Sequence, residues 1–148
     1  MKIIKILDTS QIDYVKNLIE DLEFHDGKKT ALGLAKKVKL NKHAVAEGDK
    51  YQELVSYIND IFKKNLTLNK RYLPKAFSTP VINKYEVGDG YGRHFDTSHM
   101  NTGSGSIRND FSFTLMLSSK SDYEGGELKI ETGSLTHEVK LDVGDLVM

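Results

Sequence analysis

The 148-residue chain contains no cysteine. Disulfides, thiolate metal sites, iron–sulfur clusters and cysteine nucleophiles are thereby excluded together, and the composition suits a reducing compartment. Any metal must be held by imidazole and carboxylate. An excess of one charge is also lacking, since 21 Lys and Arg residues balance 21 Asp and Glu. No overall field would gather nucleic acid or an anionic membrane, so neither is expected as a partner. No apolar run approaches the ~20 residues of a membrane span. The opening MKIIKIL is too short and too soon charged to act as a signal peptide. The expectation is a cytoplasmic protein.

Hydrophobic residues make up 39% of the chain and charged residues 28%, which suits a single domain over residues 1–148. The pattern divides it into a helical part, 8–75, and a β part, 76–148. Ile3 to Leu7 reads as a short strand. Ser10, with Asp13 in the first turn, offers an N-cap to a helix whose stripe is Ile12, Val15, Ile19 and Leu22, ending near Phe24 before the Asp26-Gly27 turn. Residues 28–48 are rich in Lys and weakly periodic, which predicts loop with some helix. Asp49 caps a second helix burying Leu54, Val55, Ile58, Ile61 and Phe62, and Asn65 and Pro74 end the helical part.

The period then changes from helical to alternating. Val81–Val87, Phe111–Leu117, Glu127–Glu131 and His137–Leu141 are strand candidates separated by glycine-rich turns, as in an antiparallel sandwich. Gly144-Asp145 turns the chain into Leu146-Val147-Met148, where a further strand begins and the sequence stops. An open sheet edge is expected there, a place for self-association or for a second polypeptide.

Chemistry concentrates in Tyr85-Glu86-Val87-Gly88-Asp89-Gly90-Tyr91-Gly92-Arg93-His94-Phe95-Asp96. His94 and Asp96 are two apart, so on extended backbone both leave one face and can converge on one cation. Two His and one carboxylate on one face of octahedral Fe(II) leave the remaining positions open to a cosubstrate and O₂. An isolated H-x-D is a weak signal, because a surface ion pair has the same spacing.

Its surroundings are more specific. Tyr85-x-x-Gly88 and His94-x-Asp96 are followed by Arg108-x-Asp110-x-Ser112-x-Thr114-Leu115-x-Leu117-Ser118, by Asp122-Tyr123-x-Gly125-Gly126-Glu127-Leu128 and by Val139-Lys140-Leu141-x-x-Gly144-Asp145-Leu146-Val147. This order resembles the iron(II)- and 2-oxoglutarate-dependent dioxygenases, and more closely the PKHD-type hydroxylases of the prolyl 4-hydroxylase-like branch. Glu23-Phe24-x-Asp26-Gly27-Lys28 and Ala35-Lys36-x-Val38-Lys39 resemble the N-terminal part of the same family.

The resemblance implies an α+β fold, a double-stranded β-helix (jelly roll) with N-terminal supporting helices and its final core strands missing. It implies Fe(II) held by His94 and Asp96, 2-oxoglutarate as cosubstrate with Asn83 and Tyr85 lining its pocket, and L-ascorbate as a further cofactor. The implied activity is hydroxylation of a peptidyl or small-molecule acceptor with release of succinate and CO₂. The intact Asp96 favours hydroxylation over halogenation, for which relatives replace this carboxylate.

In the family a distal His ligand and an Arg that pairs with the far carboxylate of 2-oxoglutarate follow the Gly-Asp-Leu-Val turn, here past Met148. His99, in a loop from Thr97 to Ile107, is the substitute third ligand to consider, and Thr102–Ser106 within that loop a candidate lid. His137, on the preceding strand, and His25 and His43, in polar stretches, are expected at the surface, and Arg93 on the face opposite His94. Arg108 and Asp110 read as a structural ion pair or an entrance contact, and Gly125-Gly126 as a backbone turn. The alternative to an enzyme is an incomplete or non-catalytic jelly-roll fragment or binding module.

Overall fold

The structure, a computed structural model, describes residues 1–31, 33–102 and 105–148. Along the chain run β1 (Ile3–Lys5), α1 (Thr9–Glu20), β2 (Phe24–Asp26), a 3₁₀ turn (Gly27–Thr30), α2 (Gly33–Lys37), β3 (Lys39–Leu40), β4 (Lys42–Ala44), α3 (Asp49–Lys64), α4 (Leu66–Tyr72), β5 (Asn83–Lys84), β6 (Gly90–Tyr91), β7 (His99–Thr102), β8 (Gly105–Arg108), β9 (Thr114–Leu115), β10 (Leu128–Thr132), β11 (Leu135–Val139) and β12 (Asp145–Val147). This is an α+β chain of short antiparallel strands, and it divides into two compact units.

The first unit comprises Met1–Lys16 and Phe113–Met148. Its main sheet has the order β1-β12-β9, with Ile4 opposite Leu146 and Leu146 opposite Leu115. The strand begun at the end of the chain therefore occupies the middle of this sheet. Ile4, Ile6, Leu7, Val15, Val139, Leu146 and Val147 are buried here, and removal of this hydrocarbon from water is the main favourable contribution. Gly144, at φ +83°, is packed tightly: the amides of Ile6 and Leu7 donate to its carbonyl, and its own amide donates to Met116 O. β10 and β11 form a separate hairpin around Gly133, also at positive φ. Ser10 is not the cap of α1. Asp8 Oδ1 accepts from Gln11 N and from the Ser10 hydroxyl, so the carboxylate two residues earlier satisfies a free amide of the first turn.

The second unit is Asn17–Ser112. α3 buries Tyr51, Leu54, Val55, Ile58 and Phe62. Its N-cap is Gly48, with Asp49 already inside the helix, and Ile61 is only half-buried. Asn65 ends α3 and caps α4 through Oδ1, which accepts from Leu68 N. The stretch read as loop contains two strands. β4 lies between β2 and β5, while β3 pairs with β6, placing Lys39 opposite Tyr91. Strands of two or three residues are too short to show alternation, and their partners are distant in sequence. Phe24, read as the end of the first helix, belongs to β2.

The expected strand Val81–Val87 contracts to β5 because Asp89 Oδ2 accepts from Glu86 N and the Asp89 amide donates to Glu86 O, which turns the chain out of the ladder. Phe111–Leu117 contracts to β9. The arms of the expected Thr97–Ile107 loop are β7 and β8, paired in register from His99–Arg108 inward. Gly103 and Ser104, the tip of the expected lid, lie outside the described residues.

Candidate metal centre

β6 ends at Tyr91, and the next residues are irregular, not the extended strand on which the H-x-D geometry was expected. The two donors converge nonetheless. His94 Nε2 and Asp96 Oδ1 are 3.5 Å apart, with the imidazole side chain 24% and the carboxylate 60% exposed. His94 Nδ1 lies 2.7 Å from Gly92 O. A carbonyl can only accept, so Nδ1 carries a hydrogen and Nε2 is the ring atom left to face Asp96.

A proton on Nε2 or a cation seated between the two groups can join the imidazole to the carboxylate. Two adjacent donors, each about 2.1 Å from an octahedral cation, are themselves roughly 3 Å apart. The pair therefore suits a hard divalent ion, and the Gly92 carbonyl supplies the outer hydrogen bond that commonly fixes a ligating imidazole. Among the described residues no third His, Cys, Asp or Glu joins them in a metal-binding group. His99 stands on β7 with Nδ1 3.2 Å from the Ser98 hydroxyl and is not gathered with the pair.

The other candidates have distinct places. Asn83 Oδ1 accepts from Asn41 Nδ2 at 3.3 Å, and the Tyr85 side chain also interacts with Asn41, so both residues meet one buried amide. Asn41 is 4% exposed, and its Oδ1 is buried without a hydrogen-bond partner. Burial pushes the Tyr85 phenol above its usual range, the Asn41 side chain pulls it back, and Asp89 adds to the rise. Arg108 does pair with Asp110, Nε donating to Oδ1 at 2.8 Å. Gly125 and Gly126 are both at φ +68°, a backbone role. His137 is half-buried on the face it shares with Val139, since alternate residues of a strand point the same way. His25 is bonded to Glu23. His43 is half-buried with Nδ1 unpartnered, not an ordinary surface histidine.

Hydrophobic periodicity missed the residues that support His94. The imidazole stacks on Tyr91 with ring centroids 3.6 Å apart and planes 11° from parallel. Lys39 Nζ stands over the Tyr91 ring, 4.8 Å from its centroid, and donates to Thr30 Oγ1 at 2.7 Å. Burial pushes the Lys39 ammonium down from its ordinary value. The Tyr91 phenol is pushed up by burial and further by the negative charge of Asp96. The available signal was the pair of buried-polar candidates in Lys39-x-Asn41, which a search for apolar stripes passes over.

The chain is similar to known proteins over nearly all of its residues. Residues 80–148 match the 2OG-Fe(II) oxygenase superfamily. The chain is 38% identical over 149 residues to a PKHD-type hydroxylase of Idiomarina loihiensis, covering 99% of this chain and 66% of that protein. It is 36% identical over 143 residues to one of Gloeothece citriformis (97% and 64%). To one of Aliarcobacter butzleri it is 38% identical over 151 residues (97% and 65%). The chain thus spans just under two thirds of the length of these curated relatives. On the His94-x-Asp96 pair and these full-span similarities, the chain belongs to the 2OG-Fe(II) oxygenase superfamily, with the PKHD-type hydroxylases.

Proposed function

We propose that the chain serves an iron- and 2-oxoglutarate-dependent dioxygenase that hydroxylates a peptidyl or small-molecule acceptor, with His94 and Asp96 as two ligands of the iron. The observation that carries this reading is the imidazole held by Gly92 O with Nε2 directed at the Asp96 carboxylate. Fe(II) with 2-oxoglutarate supplies the oxidation: one O₂ and one keto acid are consumed, a substrate C–H becomes C–OH, and succinate and CO₂ leave. Asp96 contributes the negative charge that retains a hard divalent cation, and His94 a neutral donor in one tautomer.

Asn83 and Tyr85 are assigned to the cosubstrate pocket, where the phenol hydroxyl can donate to a carboxylate. A third ligand and an Arg for the far carboxylate are required by this reading, as is a jelly-roll frame, and L-ascorbate is proposed as a further cofactor. Since β12 is paired on both sides, an outer strand of the β1-β12-β9 sheet is proposed as the place where a second polypeptide or a second copy pairs, and the cytoplasm as the compartment.

The test is an anaerobic titration of Fe(II) into the chain with 2-oxoglutarate, following the visible metal-to-ligand charge-transfer band. A band present in the wild type and absent in His94→Ala is expected. A folded protein without the band favours the second reading, a non-catalytic binding module, which the convergence of only two donors among the described residues supports.

A further inference from the structure

The imidazole of His94 is held by a layered support that begins on β3. Its Nδ1 is bound by Gly92 O, and Gly92 N donates to Val38 O at 2.8 Å. A Cβ at Gly92 would lie 2.8 Å from Val38 Cβ, so the segment packs against the residue that precedes β3 with no room for a side chain at Gly92. One residue earlier, Tyr91 carries the stacked imidazole. Tyr91 is in register with Lys39, whose ammonium stands over its ring.

Lys39 is unusual for its charge. It is 5% exposed, and among the described residues its ammonium meets no carboxylate. Its hydrogen bond goes to the Thr30 hydroxyl, which donates onward to Gly27 O at 2.9 Å. Burying a lysine without a counter-ion is costly, and an apolar side chain would fill the same space without that cost. What the ammonium adds is attraction to the face of an aromatic ring, and that ring supports a metal-site imidazole.

We propose that Lys39 is a positioning residue for His94: fixed by Thr30, its ammonium pins the Tyr91 ring, and the ring sets the plane in which the imidazole presents Nε2 to Asp96. The proposal deepens the metal reading and rests on it for its purpose, but the ring orientation is measurable without metal.

The test uses the full chain and the variants Lys39→Met, Lys39→Arg, Tyr91→Phe and Tyr91→Leu, with folding checked by circular dichroism. One readout is the ¹H–¹⁵N correlation of the His94 ring in metal-free protein, and the other is Mn(II) affinity by electron paramagnetic resonance with His94→Ala as baseline. Wild type should show a single Nδ1–H tautomer. Lys39→Met and Tyr91→Leu should each give tautomer averaging and a Mn(II) affinity weaker by about 10-fold or more, the range for lost outer partners of a ligating His.

Lys39→Arg and Tyr91→Phe keep the cation and the ring, and both should retain the wild-type signature. Lys39→Met combined with Tyr91→Leu should be no worse than either alone, because Lys39 acts through Tyr91. A folded Lys39→Met with wild-type tautomer and affinity overturns the proposal. If Lys39→Met does not fold, wild-type values in Tyr91→Leu overturn it. Tautomer averaging in Lys39→Met, together with no Mn(II) binding in wild type, upholds the positioning role and rejects the metal reading instead.

Discussion

The β1-β12-β9 sheet and the β3-β6 ladder are both small and antiparallel, yet different forces hold them. In the first, Ile4, Leu146 and Val147 are 8%, 0% and 1% exposed, and the register is the one that buries hydrocarbon. In the second, the paired residues are Lys39 with Tyr91 and Leu40 with Gly90. Leu40 is exposed, while Lys39 is buried under a hydroxyl and an aromatic ring. Hydrocarbon burial is non-directional and yields stability. Hydrogen bonds and ring stacking are directional, and here they fix the orientation of one imidazole. Substitutions in the two places should therefore move different observables.

The largest separation is expected at Asp96. Asp96→Asn keeps the size of the side chain and removes its charge, so metal affinity should fall by more than the roughly 100-fold seen for lost outer partners of a ligand. Because the carboxylate is 60% exposed, the urea midpoint should stay where it is. Isothermal titration with Mn(II) and a urea curve on the same preparation check both halves, and a shifted midpoint would show that the site also carries stability.

The converse change lies in the first sheet. Leu146→Ala empties a fully buried position in the central strand and should cost about 3 kcal/mol, read as a lower urea midpoint at unchanged slope. The His94 ring correlation of the folded fraction should remain that of wild type. Gly144→Ala should cost less, about 2 kcal/mol. A Cβ there meets Leu7 O at 2.9 Å, and φ +83° is disfavoured for an L side chain. Thermal unfolding checks it, and an unchanged midpoint would mean that β1 can move away from the turn.

The same difference explains what could be read from the residues alone. Leu146, Val147, Leu54 and Phe62 sit in runs or stripes whose period identifies the element, and they are buried as that period requires. His94 and Asp96 stood out through a two-residue spacing that brings donors together on extended backbone, and they lie 3.5 Å apart although the backbone there is irregular. β3 and β4 were not, since Lys39, Asn41 and His43 are residues normally found at the surface, and their burial depends in part on partners 40 or more positions away, such as Asn83 and Tyr91. Asp8 was missed as a cap because its partner amide at Gln11 belongs to a helix that starts earlier than the apolar stripe suggests. Local pattern reports hydrocarbon well, and it reports buried polar pairing only where the pairing is itself local.

Buried polarity in the second unit should also carry a cost that depends on pH, and this is the smallest of the expected effects. His43 stands on β4 between His25 of β2 and Asn83 of β5. Burial pushes its pKa below 6.5, the ammonium of Lys39 pushes in the same direction, the backbone of Asp26 opposes, and His25 and Lys29 also push it down. The unfolded chain therefore takes up the proton first. Wherever the unfolded state binds more protons, stability rises with pH, so this group subtracts stability as pH falls below 6.5 and the loss levels off once the folded histidine is protonated too. Urea midpoints measured at about pH 7.5, 6.5 and 5.5 should decline more steeply for wild type than for His43→Leu, which cannot take up the proton. Parallel declines would place the titrating polarity elsewhere in the chain. A divergence confined to the acid side of 6.5 would show that β4, like β3, retains a buried polar residue at the expense of stability.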